Sequence, residues 1–161
     1  MIRTGKTLRE LTAADIMSRE LTLVPQEMSL QAAAHLLERA GVSGAPVVDQ
    51  DGRCVGVLST TDFVHFVGGL ESDYRKPAWS GSERICEWQL VNGGAVPKDA
   101  VRLHMTADPV TAEPDTPIDG LARQMLDAHI HRIVVLDGQG RPSGIVSSTD
   151  VLAAVAYADR S

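Results

Sequence analysis

Residues Gly56–Asp62 read GVLSTTD, and residues Gly144–Asp150 read GIVSSTD. Both stretches follow one pattern: glycine, two hydrophobic residues, serine, one variable residue, threonine and aspartate. An offset of 88 positions separates the two stretches, and it also pairs Met17 with Met105, Asp49 with Asp137, Gly52 with Gly140, and Arg53 with Arg141. A correspondence maintained over about fifty positions indicates an internal duplication, which has to be recognised before the fold is assigned.

Each copy predicts the element order β-α-β-β-α. In the first copy, Ser29 is placed to cap a helix that Gly41 ends, and in the second Thr116 is the expected cap with Pro117 at the first helical position. Short hydrophobic runs joined by turns that contain glycine predict a hairpin after each helix. The predicted strands are ELTLV (20–24), APVVD (45–49) and CVGVLS (54–59), then PVTAE (109–113), RIVVLD (132–137) and SGIVSS (143–148). The last helix of each copy is expected to start at Asp62 or Asp150.

The duplication predicts an α/β (α+β) protein in which two β-α-β-β-α repeats pack as a pseudo-twofold pair. Repeat 1 spans residues 11–67, an insert spans 68–100, and repeat 2 spans 101–156. The insert contains both tryptophans, Trp79 and Trp88. Two interpretations stay open: the rings pack the insert onto the repeats, which is the more common role of such side chains, or one ring lines a ligand cleft.

Composition excludes several classes of protein. The chain of 161 residues carries a net charge of −6, which disfavours nonspecific attraction to nucleic acid or to an anionic membrane surface. Its longest apolar runs are too short to span a bilayer, and its first residues lack the pattern of an export signal. The two cysteines, Cys54 and Cys86, form no CxxC pair. A cytoplasmic protein without a disulfide framework or zinc site is therefore expected.

The repeated heptapeptide has the chemistry of a ligand site at the start of a helix. Free backbone N–H groups at a helix start attract phosphate, and a carboxylate accepts hydrogen bonds from the two hydroxyls of a ribose. The mid-strand glycine lets another group approach the backbone closely. The alternative is that Asp62 and Asp150 only cap their helices. Capping alone does not require the whole pattern G-x-x-S-x-T-D, so its repetition favours binding.

Four further segments carry a family resemblance. They are DIMSRELTLV (15–24) and HMTADPVTA (104–112) at the repeat starts, and GVSGAPVVD (41–49) and HIHRIVVLD (129–137) at the middle strands. Together with the two heptapeptides, they resemble a tandem pair of CBS domains, often called a Bateman module. The resemblance covers nearly the whole chain outside the insert. It implies two clefts that bind adenosine-containing ligands such as AMP, ADP, ATP or S-adenosylmethionine.

The resemblance also implies which residues line each cleft. One cleft would combine Thr22, Val24, Val42, Ser43, Ala45 and Pro46 with Ser147, Thr149 and Asp150. The other would combine Thr111, Ala112, Ile130 and Ile133 with Ser59, Thr61 and Asp62. In each cleft the aspartate would hold the ribose.

A single basic pair distinguishes the two copies. IHRIVVLD resembles the nucleotide-reading segment in the regulatory subunit of AMP-activated protein kinase, which implies that His131 and Arg132 meet phosphates. The corresponding residues of the first copy are Ser43 and Gly44. Because the planar fork of arginine suits phosphate, we expect at most one good phosphate locus. The alternative is that His131 and Arg132 form only a solvated strand start.

The sequence predicts a regulatory module rather than an enzyme. It would require no cofactor, sense an adenosine-containing nucleotide and signal to a separate protein. The segments FVHFV and VLAAVAYA are candidate faces of a homodimer. The alternative function is a structural or dimerisation module with empty or degenerate clefts. Redox control through Cys86 is a weaker third hypothesis, and the scattered histidines lack the spacing of metal ligands.

Overall fold

The computed structural model describes residues 5–73 and 99–158. Trp79, Cys86 and Trp88 lie outside these residues, so the hypotheses that concern them stay predictions. The chain divides into two compact units. The first-repeat unit comprises Thr22–Asp49 and Val55–Ala107, and the second-repeat unit comprises Met1–Leu21, Gln50–Cys54 and Asp108–Ser161.

Helices and strands follow the predicted order with two additions: a short helix precedes the first strand, and repeat 2 begins with an extra two-residue strand, Thr106–Ala107. In chain order they are α1 (Ala13–Ile16), β1 (Val24–Pro25), α2 (Leu30–Ala40), β2 (Gly44–Val48), β3 (Cys54–Ser59), α3 (Thr60–Asp73), β4 (Thr106–Ala107), β5 (Thr111–Ala112), α4 (Ile118–Ala128), β6 (Arg132–Leu136), β7 (Pro142–Ser147) and α5 (Ser148–Tyr157). Short 3-10 turns occupy Leu8–Glu10 and Val101–Leu103. Within the described part of the chain, no helix has both the length and the apolar character needed to cross a membrane.

The first-repeat unit contains a four-stranded sheet in the order β1-β2-β3-β4. Strand β1 runs parallel to β2, with Val24 opposite Val47, and β3 runs antiparallel to β4. Helix α2 buries Leu30, Ala33 and Leu37 in the core of this unit, at the spacing of one helical face. Helix α2 therefore covers the sheet with one apolar face.

The second-repeat unit repeats this plan with a three-stranded sheet in the order β5-β6-β7. Strand β5 is parallel to β6, and β6 forms the predicted antiparallel hairpin with β7. Helix α4 buries Ile118, Leu121 and Met125 in a core that also contains Ile133 and Val135. The two copies thus use the same face of equivalent helices to cover equivalent strands.

The segment that begins each repeat packs in the unit formed by the other repeat. Leu11 is fully buried in the core of the second-repeat unit, and its carbonyl accepts from the N–H of Ile118 at 3.0 Å. Ser18 forms a two-way backbone bridge with Ile145, at 2.9 and 3.0 Å. Conversely, β4 at the start of repeat 2 pairs with β3, placing Thr106 opposite Val57. Each unit therefore contains residues from both repeats.

A methionine lies against each mid-strand glycine of the heptapeptides. A Cβ atom added to Gly144 would lie 2.7 Å from Cγ of Met17, and one added to Gly56 would lie 2.7 Å from both Sδ of Met105 and the carbonyl oxygen of Thr106. Such separations are well inside van der Waals contact. The close approach predicted at these glycines is thus made by the exchanged segments of the chain itself.

The predicted helix ends are correct in the first copy and wrong at one end in the second. Ser29 Oγ accepts from the N–H of Ala32 at 3.2 Å, and Gly41 ends α2 in the left-handed conformation at φ 66°. Helix α4, however, begins at Ile118 with Pro117 at the cap. The Thr116 hydroxyl instead accepts from the N–H of Glu113 at 3.0 Å, which places Thr116 in the preceding turn.

Replacing Ser29 by Ala removes the acceptor for the Ala32 N–H, so we expect the free energy of unfolding to fall by about 1 kcal/mol. Ser29→Asp is the matched control, since aspartate is an equally good cap and should preserve stability. Urea unfolding followed by circular dichroism measures both. Equal losses in the two variants would contradict the capping role.

Candidate functional site

The two heptapeptides end at junctions between a strand and a helix. Helices α3 and α5 begin at Thr60 and Ser148, two residues before the predicted starts at Asp62 and Asp150. The reason is visible in α5, where Ser147 takes the cap position and its Oγ accepts from the N–H of Asp150 at 3.2 Å. Each aspartate is thus the third helical residue rather than the cap.

Each aspartate completes the cap by reaching back to the serine. Asp150 Oδ2 accepts from the N–H and the hydroxyl of Ser147, both at 2.7 Å. Asp62 Oδ2 accepts from the same two groups of Ser59, at 2.7 and 3.0 Å. At Ser147 and Asp150 these contacts form a capping box, in which serine and the residue three positions later satisfy each other's backbone donors. At Ser59 and Asp62 the structure shows the half of this pattern in which the aspartate accepts from the serine. The prediction that the aspartates are the caps is therefore wrong in position: the serine caps α5, and each aspartate accepts from its serine through one oxygen, Oδ2.

The second carboxylate oxygens differ between the junctions. Asp62 Oδ1 accepts from the Thr106 hydroxyl at 3.4 Å. Asp150 Oδ1 accepts no hydrogen bond from any residue that the structure describes; Oδ2 carries both of its contacts. Both aspartates are half-buried. Asp150 therefore combines a fixed orientation with an oxygen that is available to a hydroxyl donor, so capping and ligand binding are compatible there.

The basic pair lies next to the Asp150 junction. The carbonyl of His131 accepts from the N–H of Ser148 at 2.9 Å, and Arg132 lies opposite Ser147 in the β6–β7 register. Residues opposite each other in an antiparallel pair have Cα atoms about 4.5–5.5 Å apart. His131 and Arg132 are both exposed. Two cationic or titratable side chains thus start within one strand spacing of the residues that cap α5.

The equivalent position in the first-repeat unit has no cation. The carbonyl of Ser43 accepts from the N–H of Thr60 at 2.9 Å, which reproduces the contact between His131 and Ser148. Gly44 follows, and a Cβ added there would lie 3.0 Å from the carbonyl oxygen of Leu58. A side chain at position 44 would therefore crowd the neighbouring strand. The difference that the sequence predicted between the copies holds at structurally equivalent positions.

The predicted site residues are divided between the two units. The second-repeat unit contains Thr111, Ala112, Ile130, His131, Arg132, Ile133, Ser147, Thr149 and Asp150. The first-repeat unit contains Thr22, Val24, Val42, Ser43, Ala45, Pro46, Ser59, Thr61 and Asp62. Each predicted cleft draws residues from both units, so those groupings stay predictions.

Burial divides the predicted residues into two kinds. The side chains of five of them are buried in the cores, namely Val24, Ala45, Pro46, Ala112 and Ile133. These residues have only backbone groups to offer a ligand in this conformation. Exposed side chains are found at Val42, Ser43, Thr61, Thr149, His131 and Arg132. The polar contacts of any ligand are therefore expected from the junction residues and the basic pair.

Sequence reasoning missed Thr106 and its counterpart Ser18. They occupy equivalent backbone bridges, Thr106 opposite Val57 and Ser18 opposite Ile145. Both follow the paired methionines Met17 and Met105, so the offset of 88 relates them as well. The offset of 88 could therefore have paired Ser18 with Thr106. The sequence does not indicate, however, that the segment carrying Thr106 pairs with β3 and so comes close to Asp62. Among the described residues, no group of three or more His, Cys, Asp or Glu could hold a metal ion.

Comparison with known families decides the relationship that the repeat suggests. The CBS domain family matches residues 13–69 and 98–157, which together make up most of the chain. The chain belongs to the CBS domain family. As a pair of CBS repeats, it has the mixed α/β fold predicted from the heptapeptides, and the structures of other CBS pairs share it.

Two solved CBS structures illustrate the likeness. CBSX2 from Arabidopsis thaliana, in complex with AMP, is 25% identical, with a TM-score of 0.68 over 90% of this chain and 96% of that chain. The cytosolic domain of the Mg²⁺ channel MgtE, in complex with ATP, is 27% identical. Its TM-score is 0.66 over 89% of this chain and 48% of that chain. Those two CBS proteins therefore bind adenine nucleotides.

Curated relatives include both short proteins and long enzymes. An uncharacterized protein of Methanocaldococcus jannaschii is 29% identical over 151 residues, covering 88% of this chain and 89% of its own length. The L-aspartate semialdehyde sulfurtransferase of the same organism is 25% identical over 137 residues. The CBS chain spans only 22% of that enzyme's length. The match therefore covers less than a quarter of that enzyme.

Proposed function

We propose that this CBS pair is a regulatory module that binds an adenosine-containing ligand (AMP, ADP, ATP or S-adenosylmethionine) and signals to a separate protein. The observation that carries the proposal is the state of Asp150. One oxygen holds the α5 cap, while the other accepts no hydrogen bond from the described residues. The cap residue of α5, Ser147, lies opposite Arg132 in the β6–β7 register, and the carbonyl of His131 accepts from the N–H of Ser148.

The ribose of the ligand would bind to Asp150. Hydrogen bonds from neutral donors to a carboxylate are charge-assisted and about twice as strong as bonds between neutral groups. The capping box restricts the rotation of Asp150, so little side-chain entropy remains to be lost on binding. The exposed hydroxyl of Thr149 is a further polar partner. These contacts favour a ligand that presents a diol.

The phosphate would bind beside the start of α5. The dipole at the start of α5 favours an anion. Since the N–H groups of Ser147, Ser148 and Asp150 already donate within the chain, the hydrogen bonds to a phosphate would come from side chains. Arg132 offers a planar fork of donors, and His131 adds a further donor. The chain as a whole is acidic, with a net charge of −6, so a phosphate depends on this local pair. The AMP and ATP complexes of CBSX2 and MgtE support the same ligand class.

The module would act through differential binding rather than through chemistry of its own, and it would require no cofactor. A ligand that binds one conformation more tightly than another shifts the population towards the first. By linkage, a partner protein that prefers the same conformation would bind more tightly when the ligand is present. The regulated partner would therefore be a separate protein.

A thermal-shift screen against AMP, ADP, ATP, S-adenosylmethionine, NAD and GTP tests the proposal. A ligand that binds only the folded state stabilises it by about 2.7 kcal/mol at one hundred times its dissociation constant. We expect at least one adenosine ligand to raise the melting temperature. If no adenosine ligand shifts it, the protein is instead a structural or dimerisation module with degenerate clefts.

We also propose that the CBS pair forms a homodimer through exposed apolar residues of its last helices. On α5, Leu152 is 67% exposed and Tyr157 is 78% exposed, and on α3 Val64 is 69% exposed. Phe66 is less suitable for this role, because it packs against the first-repeat core and its ring meets His104 edge-on at 4.9 Å. A charge at Phe66 would damage the fold together with any interface.

Replacing Leu152 and Val155 by Glu should convert the dimer to a folded monomer, because the charges cannot be buried against a second copy. Sedimentation velocity measures the change. Leu126→Glu is the matched control, since Leu126 is 73% exposed on α4, outside the proposed face, and should leave the dimer intact. A wild-type monomer, or a dimer unaffected by the double substitution, would contradict this interface.

A further inference from the structure

We infer that Thr106 closes the Asp62 junction, so that of the two junction aspartates it is Asp150 that binds a ribose. This inference rests on the proposed function and specifies its stoichiometry, one adenosine-containing ligand per chain. Thr106 would be a residue that sets which of two nearly identical sequence motifs is used.

Both oxygens of Asp62 are engaged within the first-repeat unit. Oδ2 accepts from the N–H and hydroxyl of Ser59, and Oδ1 accepts from the Thr106 hydroxyl at 3.4 Å. Thr106 is held in place by its strand, since β4 pairs with β3 and puts Thr106 opposite Val57. A ribose hydroxyl would have to displace the threonine hydroxyl before it could donate to Oδ1.

The equivalent contact is absent at Asp150. Ser18 occupies the position of Thr106 and forms the equivalent bridge with Ile145, at 2.9 and 3.0 Å. Among the residues that the structure describes, the Ser18 hydroxyl makes no hydrogen bond, and Asp150 Oδ1 accepts none. Threonine is branched at Cβ and has a restricted χ1, whereas serine rotates more freely. Whether Oδ1 of the aspartate accepts a hydrogen bond from the chain therefore depends on the choice between threonine and serine, which differ by one methyl group.

The charges beside the two junctions also favour ligand binding at Asp150 over Asp62. Arg132 lies opposite Ser147 beside the Asp150 junction, while the first-repeat unit has Gly44 at that position. Among the described residues, the Asp62 junction thus has a hydrogen bond to each carboxylate oxygen and no arginine at the position that corresponds to Arg132. Relief of the Thr106 contact would free one carboxylate oxygen but would not supply the arginine. An opened Asp62 junction should therefore bind adenosine, which carries no phosphate.

Equilibrium dialysis with radiolabelled adenosine tests the inference in a chain whose Asp150 junction is inactivated. Asp150→Asn should lose adenosine binding at least tenfold. Adding Thr106→Val, which preserves shape and strand propensity but removes the hydroxyl, should restore about one adenosine per chain. Ser18→Ala in the same Asp150→Asn chain is the matched control and should restore nothing. Thr106→Val in the wild-type chain should bind two adenosines.

Other outcomes would overturn the inference in distinguishable ways. If wild type binds one adenosine and Thr106→Val restores none, Thr106 does not close the junction, although the proposed function stands. If Asp150→Asn binds adenosine as tightly as wild type, Asp62 was open from the start. If no form of the protein, wild type included, binds adenosine or AMP, the proposed function and the inference both fail.

Discussion

Replacing Asp150 by Asn is expected to weaken AMP binding at least tenfold while leaving the free energy of unfolding within about 1 kcal/mol of the wild type. The amide oxygen of asparagine can still accept from the N–H of Ser147, so the cap of α5 survives. The charge and the second acceptor are lost, and a hydrogen bond to a charged group contributes about 1.5–3 kcal/mol. Isothermal titration calorimetry and urea unfolding measure the two quantities.

Comparing Asp150→Ala with Asp150→Asn separates the two roles of this residue, ligand binding and support of the α5 cap. Alanine removes the ligand contact and also the acceptor of the two hydrogen bonds that Ser147 donates, so it should also lower stability by about 1 kcal/mol. Asp62→Asn is the matched control at the other junction and should leave AMP affinity unchanged. If Asp150→Asn binds AMP like the wild type, Asp150 acts in capping only. If Asp62→Asn weakens binding equally, the two junctions are both in use.

Gly144→Ala is expected to destabilise the second-repeat unit by about 1–3 kcal/mol, the usual cost of overpacking a filled space. The new Cβ would lie 2.7 Å from Cγ of Met17 and 3.0 Å from its Cβ, so the segment that carries Met17 must move. Gly138→Ala is the control, because a Cβ there meets nothing within 4 Å. Thermal and urea unfolding compare the two. Equal stability of both variants would contradict the packing described here.

A double-mutant cycle identifies the partner of Gly144. In a chain that already carries Met17→Ala, the penalty of Gly144→Ala should be smaller, because the crowded Cγ and Sδ atoms are gone. The parallel cycle at Gly56 and Met105 should show less relief, since the carbonyl oxygen of Thr106 also lies 2.7 Å from the added Cβ. Strict additivity of Gly144→Ala and Met17→Ala would mean that Met17 is not the obstacle.

Much of the fold follows from local patterns in the sequence. The offset of 88 identifies two repeats, the spacing of Leu30, Ala33 and Leu37 predicts the buried face of α2, and Ser29 and Gly41 mark its ends. These features depend on contacts within a few residues, which the order of side chains determines directly. The same reasoning fails at Thr116, because the Thr116 hydroxyl turns back to the N–H of Glu113.

Features that depend on distant contacts could not be predicted in this way. Nothing in the residues 11–18 or 100–107 indicates which repeat they pair with, since an extended segment offers the same backbone groups to any strand edge. Consequently, the sequence predicts that some group approaches Gly56 and Gly144 closely but does not identify that group, and it does not point to Thr106. The sequence did predict the aspartates as caps or ligands, and the structure indicates that Asp150 has an oxygen for each role.

The most direct test of this account is nuclear magnetic resonance of the aspartate carboxyl carbons during a titration with AMP. The Cγ resonances of Asp150 and Asp62 are assigned from the Asp150→Asn and Asp62→Asn variants. We expect the chemical shift of Asp150 Cγ to change until it saturates at one AMP per chain, while that of Asp62 Cγ changes much less. An Asp150 resonance that stays in place, whether AMP binds elsewhere or not at all, would contradict this account.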